Sequence, residues 1–309
     1  MQYEQTSGNQ QLGGSYSENF TRQKRGLLVF LLDQSSSMSE PVTMQGYKLT
    51  LAQMASSIIN SLLVAVIDNA PLDTSTNRRK NYCDIVIFGY GDNIIPLLNP
   101  AGVPVPLPDL AENNRGKQTV RRSKYDPIKG NFVTVDEEQP FWIVPAANSH
   151  WTEMASAISR AHQAAQEWLV ADPRRRSSFP PIVINITDGR HNGVKGDNPV
   201  QEALKLCQLR SDDGAVLLFN CHITKSSAQT LSFPNDIGQM GVLPKEEQVG
   251  AEQLFHMSSE VPASMAKRAP QVSGKPLLPG ARGFMYNASG EDLIKFLSWG
   301  TRVGTEAYA

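Results

Sequence analysis

The sequence predicts a doubly wound α/β fold, in which a mainly parallel sheet is covered by helices on both faces. Short, almost wholly apolar runs alternate with longer amphipathic segments along the 309 residues. The clearest run, 27–32, contains six apolar residues and stops at an acidic one. Continuous apolar runs of this length are typical of strands that are buried on both faces. Because strands and helices alternate, a parallel sheet between two helical layers is predicted.

The order of elements follows from these patterns. Apolar residues recur at three- and four-residue steps from Leu51 to Val66, which indicates one apolar helix face. Pro199 stands where a first helical turn accepts proline. Predicted strands are 26–32, 84–89, 94–98, 131–135, 141–144, 181–187, 215–223 and 282–286. Predicted helices are 43–68, 152–168, 198–209, 246–257, 262–269 and 290–300.

Composition restricts the function classes. The 29 basic and 30 acidic residues nearly balance, so overall charge favours neither a nucleic-acid partner nor a membrane partner. No stretch reads as a membrane span, and the polar N-terminus lacks the apolar core of a signal peptide. The cysteines, at 83, 207 and 221, show no metal-type pairing. Free thiols at 83 and 221, buried in apolar runs, fit a reducing cytoplasm, where we expect the protein to reside.

We expect one domain over 25–302, preceded by a flexible extension at 1–24 and followed by a tail at 303–309. The amino-acid composition changes at 99–145, which is rich in proline and carries a basic run from Arg115 to Lys124. We interpret 99–145 as an inserted β-hairpin or another β-rich excursion, without a helix. The basic run could grip phosphates or an acidic protein, but a solvated loop is the favoured interpretation. Aromatic residues do not interleave with it, so base stacking has little support.

Oxygen-bearing side chains follow the first predicted strand. Asp33, Ser35 and Ser37 alternate directly after the apolar run. Open α/β sheets bind ligands at the carboxyl ends of their strands, and hard divalent cations prefer oxygen ligands. A later buried strand ends in Thr187 and Asp188, followed by a glycine. The two carboxylates would neutralise a divalent cation. Turn and capping roles are the alternative reading of these residues.

Together, Asp-x-Ser-x-Ser and Thr-Asp-Gly resemble the metal-ion-dependent adhesion site of the von Willebrand factor A (vWA) family. In that family a threonine ahead of a helix supplies a further ligand, and the segment 150–158 is similar to that loop, which makes Thr152 the candidate. The usual preceding glycines are replaced by Asn148, Ser149 and His150. The resemblance implies a metal set of Asp33, Ser35, Ser37, Thr152 and Asp188. It also implies a protein partner whose acidic residue completes the ion's coordination.

Mg²⁺ suits this ligand set best, because it keeps several waters and accepts few carboxylates, while Mn²⁺ and Ca²⁺ are alternatives. The ending 291–299 resembles the bacterial, intracellular branch, including vWA proteins of tellurite-resistance-type gene clusters. That branch implies a stress-response, defence or signalling complex with a kinase, a phosphatase or an ATPase. It also implies that the last helix moves when the site is engaged.

Two rival functions remain open. His150 and His191 lie close in sequence to the predicted ligands, which raises metal-assisted phosphoester hydrolysis with a histidine as general acid or base. Gly89-Tyr90-Gly91-Asp92 is too short for a phosphate-binding loop and lacks its lysine. A scaffold with a vestigial metal site is the second rival. We expect a binding module without enzymatic activity, in which Trp151 is the aromatic residue placed to touch a partner.

Overall fold

The computed structural model describes residues 13–44, 47–126, 131–189, 191–193, 197–224, 230–287 and 290–301. The strands in chain order are β1 Gly26–Asp33, β2 Pro41–Met44, β3 Tyr47–Thr50, β4 Leu72–Asp73, β5 Arg78–Arg79, β6 Cys83–Tyr90, β7 Ile94–Pro96, β8 Val105–Pro106, β9 Gly116–Asp126, β10 Asn131–Phe141, β11 Ile182–Thr187, β12 Leu217–His222, β13 Leu231–Ser232 and β14 Phe284–Tyr286. The helices are α1 Leu51–Asn69, α2 Leu107–Glu112, α3 Met154–Ala171, α4 Pro199–Leu206, α5 Lys245–Met257, α6 Ala263–Ala266, α7 Pro270–Ser273 and α8 Gly290–Gly300.

The main sheet has the strand order β13-β14-β12-β11-β1-β6-β7, with β8 also paired to β6. The five inner strands, from β14 to β6, run parallel. The outer strands β13, β7 and β8 pair antiparallel. From β1 the chain adds β6 on one side and β11 and β12 on the other. The strand order therefore reverses between β1 and β11, which is where doubly wound sheets bind ligands.

Helices bury both faces of this sheet. Leu28 and Phe30 of β1 pack into a core shared with α1 and α8, whereas Leu27 and Val29 pack into a second core with α3 and α5. Alternate residues of one strand therefore enter different cores, as a strand between two helical layers requires. The predicted fold class is confirmed. The apolar runs predicted it because both faces of the central strands are buried away from water.

The first helix begins later than its predicted start at 43. A short antiparallel hairpin, β2 and β3, precedes it, and α1 begins at Leu51. Thr50 caps the helix: its hydroxyl accepts from the Gln53 backbone N–H at 3.1 Å. The Gln53 side chain accepts from the Thr50 N–H at 2.8 Å. This reciprocal capping box satisfies two backbone donors and sets the start of the helix.

α1 also corrects the expectation that no segment could span a membrane. By length and composition, it is the one helix among the described residues long and apolar enough to do so. However, 67% of its apolar window is buried inside the protein. Its apolar residues pack against the sheet and α8, as in a core helix.

The segment 99–145 contains the expected hairpin, β9 and β10, with eleven residues in each strand. Two predictions within it are wrong. The six-residue helix α2 is present, and the separate strands predicted at 131–135 and 141–144 are replaced by the single strand β10. Asn60 of α1 anchors the hairpin base, because its Oδ1 accepts from the N–H groups of Trp142 and Ile143 at 2.9 and 3.0 Å. Trp142 is buried, which ends the strand in the core.

The described part of the N-terminal extension packs on the domain. Tyr16 and Phe20 are buried and both meet the Phe179 ring edge-on, at centroid distances of 6.0 and 6.1 Å. The Asp213 carboxylate accepts from the N–H groups of Ser17 and Glu18 at 2.9 and 3.0 Å. Polar composition suggested flexibility for 1–24, but two aromatic anchors hold 13–24 in place. Residues 1–12 and 302–309 lie outside the described residues, so the expectations for them stay predictions.

Candidate metal centre

The two predicted carboxylates meet at the switch point of the sheet. Asp33 is the last residue of β1, and Asp188 directly follows β11, its parallel neighbour. The Thr187 hydroxyl donates to Asp33 Oδ2 at 2.6 Å across the two strands. The same hydroxyl oxygen accepts the Gly189 N–H at 3.0 Å, so it also shapes the turn that carries Asp188. Strand register therefore places both acids at one end of the sheet.

The two predicted serine ligands lie beside Asp33. The Ser35 backbone N–H donates to Asp33 Oδ1 at 2.8 Å, which turns the chain back over the strand end. The hydroxyl oxygens of Ser35 and Ser37 are 3.0 Å apart. Ser35 is buried, while Ser37 is partly exposed at the mouth of the site. The local pattern of alternating oxygen-bearing side chains thus produces one compact group of candidate metal-ligand oxygens.

The loop that carries Thr152 is joined to the serine loop by backbone contacts. Ser35 and Ser149 form a parallel bridge, and the Ser36 N–H donates to the Ser149 carbonyl at 2.7 Å. Asp92 fixes the next turn, since its Oδ1 accepts from the N–H groups of His150 and Trp151 at 3.0 and 2.8 Å. The loop thus reaches the site although the usual glycines are absent.

Gly91 and Asp92 form a support that sequence reasoning missed. The sequence of 89–92 excludes a phosphate-binding loop, and in the structure Gly91 and Asp92 hold the Thr152 loop. A Cβ atom at Gly91 would lie 2.1 Å from the Ser149 hydroxyl oxygen, so only glycine fits this approach. The Gly91 carbonyl also accepts the Glu153 N–H at 3.2 Å. A glycine next to an aspartate after a buried strand was the available signal.

The Asp188 loop holds Thr152 from the other side. Asn192 Oδ1 accepts the Thr152 N–H at 2.6 Å. The His191 ring nitrogen Nδ1 lies 2.9 Å from the Thr152 carbonyl oxygen. Thr152 is buried, and these main-chain contacts hold it against the loop that follows Asp188. His191, which lies close in sequence to the predicted ligands, contacts the loop backbone, whereas Asn192 was not identified from the sequence.

Burial and charge strongly perturb Asp33. Its side chain is 1% exposed, and burial followed by the nearby Asp188 charge raises its pKa to about 7. Hydrogen bonds from Thr187 and Ser35 act in the opposite direction. Two carboxylates that share a buried site resist simultaneous ionisation, and a bound cation removes that repulsion.

The donor set fits a hard divalent cation. Among the described residues, no group of three or more His, Cys, Asp or Glu side chains gathers to hold a metal. The oxygens at the switch point are instead two carboxylates with serine and threonine hydroxyls. Such a set leaves coordination positions for water or an incoming carboxylate, which suits Mg²⁺ and does not resemble a nitrogen and sulfur site for zinc.

A buried polar chain lies beneath the site. The Tyr90 hydroxyl donates to Asn185 Oδ1 at 2.8 Å, Asn185 Nδ2 donates to Asn220 Oδ1 at 3.0 Å, and Asn220 Nδ2 donates to the Ser258 hydroxyl at 2.9 Å. These four residues are buried and connect β6, β11, β12 and the end of α5. Satisfied buried networks of this kind hold neighbouring elements in one arrangement. Single asparagines within apolar runs were the only sequence signal.

The comparisons with known proteins find likenesses only among solved structures. No family model matches the chain, and no curated protein matches it. The structural neighbours include vWA-domain proteins, the family that the three-loop pattern resembles. One is a von Willebrand factor type A protein from Catenulispora acidiphila, at 11% identity and TM-score 0.38, covering 65% of this chain and 34% of that one.

Two further neighbours are described with metals. The proximal thread matrix protein 1 of the mussel byssus, with a zinc-occupied adhesion-site motif, matches at 14% identity and TM-score 0.45, covering 91% of this chain and 48% of its own. Manganese-loaded TRAP protein from Plasmodium vivax matches at 14% identity and TM-score 0.37, covering 89% and 72%. The chain thus spans half or less of the mussel and Catenulispora proteins. At these scores, the fold class rests on the sheet order described above.

Proposed function

We propose that this protein is a vWA-type binding module, which engages an acidic residue of a partner protein through a divalent cation at the candidate metal centre. One observation carries the proposal: Asp33 and Asp188 lie at the switch point, and three interlocked loops surround them. A rigid group of oxygen ligands with few charges suits an ion that must also accept a carboxylate from outside.

Charge balance explains why the partner should be acidic. Asp33 and Asp188 neutralise a divalent cation, and the hydroxyls of Ser35, Ser37 and Thr152 add no charge. A partner carboxylate is then drawn to the remaining metal face, where it replaces water. We assign Mg²⁺ as the physiological ion, with Mn²⁺ and Ca²⁺ as alternatives, because the set has few carboxylates.

Trp151 supports a protein partner. Its side chain is 54% exposed although it directly precedes the buried Thr152. Its backbone is fixed by Asp92, so the indole stands on a rigid loop. Exposed tryptophans on rigid supports are frequent energetic anchors of protein interfaces. In this proposal Trp151 packs against apolar surface of the partner while the metal binds its carboxylate.

His191 is the candidate acid or base of the rival hydrolase. Its Nδ1 is engaged with the Thr152 carbonyl, so only Nε2 is left to exchange a proton with a substrate. We propose a binding module without enzymatic activity; the oxygen ligands of the metal centre carry that proposal, and the His191 contact does not bear on it.

The cellular setting proposed here rests on the resemblance of 291–299 to the bacterial, intracellular branch. We propose a cytoplasmic stress-response, defence or signalling complex that contains a kinase, a phosphatase or an ATPase. The last helix, α8, packs against α1 and β11, whose carboxyl end supports the Asp188 loop. This contact gives a route by which engagement of the site could shift α8.

Calorimetric titration with Mg²⁺, Mn²⁺ and Ca²⁺ tests the proposal. We expect saturable binding by the wild type and none by the Asp33→Ala, Asp188→Ala double variant. The Asp212→Ala variant removes an exposed carboxylate elsewhere and should bind as the wild type does. Partner capture should then require the divalent ion and fail in the double variant. Capture that persists in the double variant and in EDTA would instead identify a scaffold with a vestigial site.

A further inference from the structure

A basic cavity lies at the opposite end of the sheet from the candidate metal centre. Its volume is about 360 Å³, and its charged lining comprises six cations and one carboxylate. The cations are Arg22, Arg25, Arg78, Arg79, Lys80 and Arg174. Arg25 directly precedes β1, whose other end carries Asp33. Eight residues of strand separate these ends by about 26 Å, so the cavity and the metal centre are different sites.

The carboxylates that pair with the lining arginines stand outside the cavity lining. Arg78 donates to Glu112 at 2.5 and 2.9 Å and to Asp109 at 2.8 Å. Arg79 donates to Asp68 at 3.2 Å and to the Ala70 carbonyl at 2.9 Å. These contacts hold the guanidinium groups in place, so less side-chain entropy is lost when they bind an anion.

Two lining cations have no ion pair within the described part of the chain, namely Arg22 and Lys80. In addition, Arg25 shares the buried carboxylate of Asp84 with Arg175, at 3.2 and 3.4 Å. The one lining carboxylate, Asp73, accepts from the hydroxyl and N–H of Ser75 at 2.6 and 3.0 Å and interacts electrostatically with Arg22. Six cations against this one carboxylate leave the cavity lining positively charged.

The lining indicates the chemical class of the anion. Planar guanidinium groups match phosphate oxygens in pairs, and ammonium groups bind phosphate as point charges. Among the described residues that line the cavity, none is aromatic, so a nucleobase would find no stacking partner. The cavity, at about 360 Å³, is larger than one orthophosphate needs.

We propose that this cavity binds a small soluble anion with two or more linked phosphate groups. Lys80 and Arg22 supply cations that form no ion pair within the described residues, and Arg25 and Arg79 supply oriented N–H donors. Recognition is of the phosphates alone, so an attached nucleoside adds little. The site is independent of the metal centre and does not rest on the proposed function.

Calorimetry in EDTA with inorganic tripolyphosphate tests this assignment. We expect saturable binding to the wild-type chain, weakened at least tenfold in the Arg22→Gln, Lys80→Gln variant. The matched control, Lys117→Gln with Lys267→Gln, removes two exposed cations elsewhere and should bind as the wild type does. ATP should bind within threefold of tripolyphosphate, and orthophosphate and sulfate much more weakly. Asp33→Ala should leave the affinity unchanged.

Several outcomes would overturn the assignment. Absence of saturable heat at millimolar tripolyphosphate would refute it, as would equal affinity in the Arg22→Gln, Lys80→Gln variant. Loss of binding in Asp33→Ala would place the anion at the metal centre. ATP binding more than tenfold tighter than tripolyphosphate would show that the nucleoside is recognised. A second experiment needs only the wild-type protein. Tripolyphosphate should protect Lys80 from chemical acetylation, measured by mass spectrometry, while Lys117 stays reactive.

Discussion

Replacing Asp33 by asparagine should stabilise the metal-free protein at neutral and alkaline pH, although it destroys a metal ligand. The folded-state pKa of Asp33 is raised from 3.8 to about 7, because the carboxyl is buried and lies near Asp188. The folded protein thus holds the Asp33 proton more tightly than the unfolded chain does. This carboxyl therefore contributes a stability loss that grows as pH rises from about 4 to 7 and is constant above 7.

The free-energy cost of ionising Asp33 follows from the size of its pKa shift. At 1.36 kcal/mol per pKa unit, ionising Asp33 in the fold costs about 4 kcal/mol above pH 7 and less than half of that at pH 5. Asparagine carries no charge at any pH, but its amide cannot accept both hydrogen bonds, from Thr187 and Ser35. One lost bond costs about 1 kcal/mol. We expect a net gain of ~3 kcal/mol at pH 8 and almost none at pH 5.

Urea denaturation of the wild type and Asp33→Asn, in EDTA at pH 5 and pH 8, measures the difference. Excess Mg²⁺ should then make the wild type more stable than Asp33→Asn at pH 8, since only the wild type binds the ion. At one thousand times the dissociation constant, the ion adds about 4.1 kcal/mol to the wild type, which exceeds the ~3 kcal/mol gained by the variant. Asp212→Asn, which removes an exposed carboxylate, serves as control. If the variant gains no more stability at pH 8 than at pH 5, the argument from burial and charge repulsion is refuted.

Three further outcomes are expected. Asn192→Ala removes the 2.6 Å acceptor of the Thr152 N–H and should weaken Mg²⁺ binding tenfold or more in calorimetry; unchanged affinity would mean that this contact is dispensable. Trp151→Ala should leave Mg²⁺ affinity unchanged but weaken partner capture at least tenfold; equal capture would remove Trp151 from the interface. Tyr16→Ala should cost about 3–5 kcal/mol in urea denaturation, as other buried aromatics do. A loss below about 0.5 kcal/mol would show that 13–24 contributes nothing to stability.

The predicted fold followed from local signals with a direct physical cause. Gly26–Asp33 and Ile182–Thr187 are apolar throughout because both faces of a central parallel strand are dry. α1 was less well predicted at its start, because a helix boundary depends on a cap such as Thr50 as well as on the apolar stripe. The buried Tyr16 was missed because a polar segment with few, scattered aromatic residues resembles a flexible extension.

In the candidate site too, some features follow from local sequence and others depend on tertiary contacts. Asp33, Ser35 and Ser37 lie within five residues, so their proximity is a local property. The buried strand before them places them at the carboxyl end of the sheet. The contact between Asp33 and Thr187 depends on β1 pairing with β11, 154 residues later in the chain. Asp92 and Asn192 were not recognised because hydrogen bonds between distant loops leave no periodic trace in the sequence.

The amino-acid order thus specified the strands, their buried faces and the oxygen ligands at their ends, since these depend on side chains a few residues apart. It did not specify which loops interlock, how far burial and the charge of Asp188 raise the pKa of Asp33, or that cations from 22–25, 78–80 and 174 surround one cavity. Those properties depend on distances between residues that only the folded chain brings together. Burial then strengthens each charge interaction by excluding water.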